Sequence, residues 1–135
     1  MKQKTLLLII FLAVSGCLQA EEKSILSVNV PPEYKAMKNP IPASENSINE
    51  GKRLYSIYCE TCHPTTERGN ELKVRGEKPF NLLKNAPKLT DGELYYIINR
   101  GVKINNKTVM LPYGDLLSEE EHWHLVNYIR TLPIK

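Results

Sequence analysis

The pentapeptide Cys59-Glu60-Thr61-Cys62-His63 constrains this chain more than any other feature. It has the C-x-x-C-H form of a c-type haem attachment site. Two thiols at this spacing can add across the two vinyl groups on one porphyrin edge, forming thioethers. The histidine that follows directly is then carried beneath the iron, where its imidazole becomes the proximal axial ligand. A small chain built this way folds around a large apolar disc, which becomes part of its core.

Three other readings of the cysteine pair fit less well. A thioredoxin-like dithiol needs a βαβ setting and thiols at a helix start; here the pair ends a helical pattern with no strand–helix alternation around it. A structural zinc needs a second ligand pair, yet the remaining candidates are Cys17, His122 and His124. A Cys59–Cys62 disulfide leaves His63 unexplained.

The N-terminus reads as a targeting segment and is set aside from the fold. Lys2 and Lys4 precede an apolar stretch, Thr5 to Val14, that is too short to span a bilayer. Val14-Ser15-Gly16-Cys17 then resembles the lipobox of bacterial lipoproteins, with Cys17 as the acylated mature N-terminus. Cleavage after Ala20 is the competing reading, and Leu18 fits it poorly. Each of the three cysteines thereby has a role: one holds lipid and two hold haem. Export agrees with the haem motif, because bacterial thioether attachment takes place outside the cytoplasm. The expected location is the periplasm, with a lipid anchor in the inner or outer membrane.

Charge excludes a nucleic-acid partner. The formal balance is +3, and Lys2 and Lys4 leave with the signal. Distribution is more informative. Pro64 to Met110 carries nine Lys/Arg against five Asp/Glu, whereas Leu111 to Lys135 carries two against four. A basic segment beside a haem edge favours redox protein partners that are acidic at their docking surface, with Lys84, Lys88, Lys103 and Lys107 as the contributors; a solvated charged surface with no docking role is the competing reading.

The chain divides into a signal peptide at 1–16, an anchor and Pro-rich tether at 17–46, and one small domain at 47–135. Pro31, Pro32, Pro40 and Pro42 interrupt any long helix in the tether. Three helices follow, each expected to open with a capping box: Ser47-Ile48-Asn49-Glu50, Thr90-Asp91-Gly92-Glu93 and Ser118-Glu119-Glu120-Glu121. The first places Ile48, Gly51, Leu54, Tyr55 and Tyr58 on one face and delivers Cys59 and Cys62. The second groups Leu94, Ile97 and Ile98 and stops at Gly101, a C-terminal cap. The third carries Trp123, Val126, Tyr128 and Ile129. Gly51 within a helix costs about 1 kcal/mol relative to Ala, which a close crossing under an aromatic such as Tyr128 would explain. Residues 64–89 show no periodicity, as expected of chain wrapped around a haem.

The second axial ligand has four candidates: Met37, Met110, His122 and His124. Met37 lies in the Pro-rich stretch. His122 and His124 flank Trp123 and are expected to face solvent. Met110, in a segment expected to be irregular before Leu111-Pro112, is the favoured ligand, because His/Met ligation is a recognised cytochrome c pairing.

With these residues in place, the chain resembles the class I mono-haem cytochrome c family. "SINEGKRLYSIYCETCH" is similar to that family's N-terminal helix and attachment site. "LTDGELYYIINRG" resembles its middle helix, and "LLSEEEHWHLVNYIRTL" its C-terminal helix. The resemblance covers roughly residues 47–133. It implies an all-α fold whose first and last helices cross, a haem in a cleft and single-electron transfer. It assigns Cys59 and Cys62 to the thioethers, His63 and Met110 to the iron, and Gly51 with Tyr128 to the crossing. It also matches Pro79 to a proline whose carbonyl accepts a hydrogen bond from the proximal histidine. The sequence departs from the family pattern at Pro64, where glycine is frequent, and at Leu111, which separates Met110 from Pro112.

The resulting expectation is one haem c, covalently bound through two thioethers, in an electron carrier serving membrane or periplasmic redox partners of a bacterial respiratory chain. With both axial positions filled, no small-molecule substrate reaches the iron, so the chain is read as no enzyme, although it could serve as a subunit of a larger oxidoreductase complex. The competing expectation is a haem-based ligand-binding or sensor protein with a displaceable sixth ligand.

Overall fold

The computed structural model describes residues 28–65 and 81–132; Cys17 and Pro79 lie outside them. The described elements run in the order α1 (Pro32–Ala36), α2 (Glu45–Tyr58), α3 (Leu82–Asn85), a 3-10 turn (Ala86–Lys88), α4 (Asp91–Arg100), β1 (Val102–Ile104), β2 (Lys107–Met110) and α5 (Glu119–Thr131). Helices dominate, as in a small cytochrome c fold.

The axis of the fold is the crossing of α2 and α5, and Gly51 makes it close. A Cβ on Gly51 would sit 2.0 Å from the His124 carbonyl oxygen and 2.8 Å from Tyr128 Cβ. Leu54 and Tyr55 on α2 pack with Trp123, Leu125, Val126 and Ile129 on α5, and Leu94 and Ile98 of α4 join the same cluster. Burial of this kind stabilises by ~25 cal/mol per Å² of apolar surface removed from water.

Two of the three expected capping boxes form as read. Thr90 and Ser118 accept from the amides of Glu93 and Glu121, whose carboxylates reach back to the cap amides. Gly101 ends α4 at φ +66° and ψ −170°, a combination that essentially only glycine adopts. The first helix departs from expectation. Its cap is Ser44, which accepts from the Ser47 amide at 3.2 Å, so the helix starts one turn earlier. Ser47, expected as the cap, is instead buried.

Residues 28–44, read from sequence as tether, lie against the domain as a strap. Val30 is only 2% exposed. At the start of α4, Gly92 lets the strap approach: a Cβ there would fall 1.8 Å from the Tyr34 carbonyl oxygen and 2.8 Å from Met37 Cβ. The Tyr34 ring meets Tyr96 edge-on at 4.8 Å. The Asn39 amide donates to the Trp123 carbonyl at 3.0 Å and to Asn127 Oδ1 at 2.8 Å. Proline blocks a long helix here but leaves an extended path whose apolar side chains can still be buried.

The expectation that His122 and His124 face solvent fails, because α4 and α2 pack over them. The helix α5 is covered by α2, α4 and the strap, so the expected solvent side does not exist at its middle. His122 is fully buried beside Tyr95, its Nδ1 2.6 Å from the Ser118 carbonyl oxygen. His124 Nδ1 lies 2.8 Å from Ser47 Oγ, and the same hydroxyl accepts from Asn127 Nδ2 at 2.8 Å. A buried hydroxyl with two partners is satisfied, which is why Ser47 is tolerated inside.

A further departure is the β-hairpin at 102–110, where irregular chain was expected. Asn105 and Asn106 both take positive φ, 50° and 62°, as a two-residue hairpin turn of the primed type requires. Antiparallel pairing sets Ile104 against Lys107, Lys103 against Thr108 and Val102 against Met110, with a bulge after Val102.

Candidate functional site

The helix α2 does not end freely but runs into a further turn that carries the cysteine pair. Tyr55 O accepts from the Cys59 amide at 2.8 Å and from the Glu60 amide at 2.9 Å. Cys59 O then accepts from the amides of Cys62 and His63 at 3.0 and 2.7 Å. Such bonds satisfy carbonyls that a helix end leaves without partners. Both thiols and the imidazole therefore hang from a single turn at the end of the central helix. Both thiols are free, so the pair is not spent in a disulfide.

Two tyrosine hydroxyls hold this turn from outside. Tyr113 donates to the Tyr58 carbonyl at 2.9 Å, its ring 6.0 Å from that of Tyr58. Tyr55 donates to the His63 carbonyl at the far end. Burial raises the Tyr113 phenol, and Cys59 and Cys62 add to it. Burial, with Cys62 assisting, pushes the Cys59 thiol up to about 12, and burial likewise raises the Tyr55 phenol. Sequence reasoning placed Tyr55 on the buried face but missed both hydroxyl contacts. The eight-residue step from Tyr55 to His63 is a helical-face spacing that could have signalled one of them; nothing in the sequence signals the other.

Met110 is half-buried and packs against the core cluster together with Cys59, Tyr58, Tyr113 and Leu82. It is the last residue of β2, not part of irregular chain. Its carbonyl oxygen would lie 2.5 Å from a Cβ on Gly101, so the strand end is pressed onto the end of α4. Immediately after it, the Tyr113 and Gly114 amides bond to the carbonyls of Ile98 and Asn99 at 3.1 and 3.0 Å. The other axial candidates are used elsewhere: Met37 against Gly92, His122 beside Tyr95 and His124 at the helix crossing.

The donor set at the end of α2 consists of two thiols and one imidazole, bordered by a core that also carries a thioether. Among the described residues, no group of three or more His, Cys, Asp or Glu is placed to hold a bare metal ion. Free thiols, imidazole and an adjoining apolar cluster suit a haem macrocycle.

Residues 46–129 match the family described as cytochrome c oxidase, cbb3-type, subunit III. The chain belongs to this cytochrome c family. The match runs from the start of α2 to near the end of α5 and takes in the hairpin and the Cys59–His63 turn. Membership implies haem c and, in general terms, haem-based electron transfer. A comparison with curated proteins finds no significant match.

Proposed function

We propose that this domain is a mono-haem electron carrier with Cys59 and Cys62 as thioether anchors and His63 and Met110 as axial ligands. The single observation that carries this reading is the one turn that carries both free thiols and His63, with Cys59 packed against the apolar core against which Met110 also packs. Bound haem supplies a one-electron ferric/ferrous couple. The chain's own contribution is to hold the donors still. The Tyr55 and Tyr113 hydroxyls fix the attachment turn, and the hairpin with its Gly101 contact fixes the strand that ends in Met110. A thioether donor favours the ferrous state, and burial disfavours the extra ferric charge, so both raise the potential.

The exposed side chains of Lys103 and Lys107 on the hairpin, with Lys84 and Lys88 near α3, supply a basic surface for acidic redox partners. Acylation at Cys17 would hold the domain at a bacterial membrane in the periplasm, as a free shuttle or as a subunit of a respiratory oxidoreductase.

The test is the absorption spectrum of the purified full chain and of Met110→Ala. The wild type is expected to be low-spin with the far-red ferric band of a methionine–iron bond and slow to bind CO. The variant is expected to lose that band and bind CO readily. Rapid CO binding by the wild type would refute the carrier and favour a ligand-binding protein. An unchanged methionine band in Met110→Ala would refute the ligand.

A further inference from the structure

We infer that Tyr55 is a positioning residue for His63, coupling the packed α2–α5 crossing to the backbone of the proximal ligand. The inference rests on the reading of His63 as an iron ligand. Three observations carry it.

First, the Tyr55 ring is locked. It is 2% exposed and meets Tyr128 edge-on at 5.1 Å and 63°, one turn beyond the glycine at which the two helices nearly touch. An aromatic side chain has two χ angles, so a packed ring fixes the position of its hydroxyl. Second, that hydroxyl donates to the carbonyl of His63, eight residues ahead. Third, the same residue's backbone carbonyl accepts from Cys59 and Glu60 at the near end of the turn. Tyr55 thus grips the attachment turn at both ends, by its main chain at the start and by its side chain at the close.

The consequence for an axial ligand is direct. A histidine ring is oriented by its own χ angles and by the backbone that carries them. Fixing the His63 carbonyl restricts ψ of that residue and narrows the directions its imidazole takes. Supporting contacts of this kind orient metal ligands and tune the metal they hold. Because the anchoring ring sits in the closely packed helix crossing, the ligand is referenced to that crossing and not to the neighbouring loop.

The test compares Tyr55→Phe with Tyr128→Phe in the full-length holoprotein. Phenylalanine keeps the buried ring and removes only the hydroxyl. Tyr128→Phe removes a hydroxyl from the other ring of the same crossing, where the hydroxyl bonded to the His63 carbonyl belongs to Tyr55. Hydrogen exchange at the Cys62 and His63 amides, both bonded to Cys59 O, is expected to accelerate roughly tenfold in Tyr55→Phe, the factor set by losing one buried hydrogen bond. The ferric low-spin electron paramagnetic resonance signal is expected to shift or broaden as imidazole orientations spread. Tyr128→Phe is expected to leave both readouts at wild-type values. Unchanged exchange and an unchanged ferric signal in Tyr55→Phe would overturn the inference. So would an acceleration spread evenly over α2 and α5, since the hydroxyl would then support the fold and not the ligand. A wild-type signal lacking imidazole ligation would instead defeat His63 as the ligand, while the exchange comparison would still decide the Tyr55–His63 contact.

Discussion

Replacing Gly51 with alanine sets two well-known effects against each other, and the structure decides which prevails. In an exposed helix the change would stabilise by about 1 kcal/mol, because alanine restricts the unfolded chain and favours helix. Here the new methyl group would begin 2.0 Å from the His124 carbonyl oxygen and 2.7 Å from its carbonyl carbon. These are backbone atoms of a packed helix and cannot rotate aside. Moving the methyl from 2.0 Å to ordinary contact at 3.4 Å requires α2 and α5 to part by roughly 1.4 Å, and a gap of only ~1 Å already forfeits up to half of the dispersion attraction between atoms facing across it. Leu54, Tyr55, Leu125 and Val126 all lie in that shared cluster. Overpacking commonly costs ~1–3 kcal/mol, and an immovable backbone neighbour places this site at the upper end. After subtracting the propensity gain, Gly51→Ala should be destabilising by about 2 kcal/mol. For a domain of this size that lowers Tm by ~8–16 °C. Thermal unfolding of the holoprotein followed by far-UV circular dichroism measures it. A Tm equal to or above that of the wild type would show that propensity governs this position and would refute the close crossing.

Two further outcomes are expected. Ser47→Ala removes a buried hydroxyl shared by His124 and Asn127, at about 1–3 kcal/mol, whereas Ser44→Ala removes an exposed cap at about 1 kcal/mol; denaturant titrations should rank Ser47→Ala as the more damaging, and the reverse order would return Ser47 to the role of a cap. Cys17→Ala should release the protein from membranes with haem still attached, and a variant that stays membrane-bound after a salt wash would count against the lipid anchor.

The pattern of errors follows from where each kind of information resides. Thr90, Ser118 and Gly101 were legible because a cap is a local matter: the side chain bonds to a backbone amide three residues away, or one φ angle demands glycine. Gly51 was legible because a glycine within a helical pattern needs a reason. Ser44 against Ser47 was not, since both are good caps and the choice turned on Asn127 and His124, distant in sequence. The hairpin was missed although Asn105-Asn106 is a turn signal, because its strands are too short for alternation to register. The helix α5 departs from expectation because periodicity assumes one buried face, and here α4 covers His122, α2 covers His124 and the strap covers Trp123 and Asn127.

By itself, the sequence determined the chemistry and the main helices: two thiols and an imidazole in fixed order, the apolar periodicity of three helices, and the glycine where two of them meet. These are short-range properties, set by covalent spacing and by helix geometry. Only the tertiary structure decided that residues 28–44 pack on the domain, that His122 and His124 turn inward and that Tyr55 reaches the His63 carbonyl. The physical reason is that a side chain's hydrogen-bond partner and solvent exposure depend on which elements are stacked over it, and a one-dimensional pattern does not record that stacking.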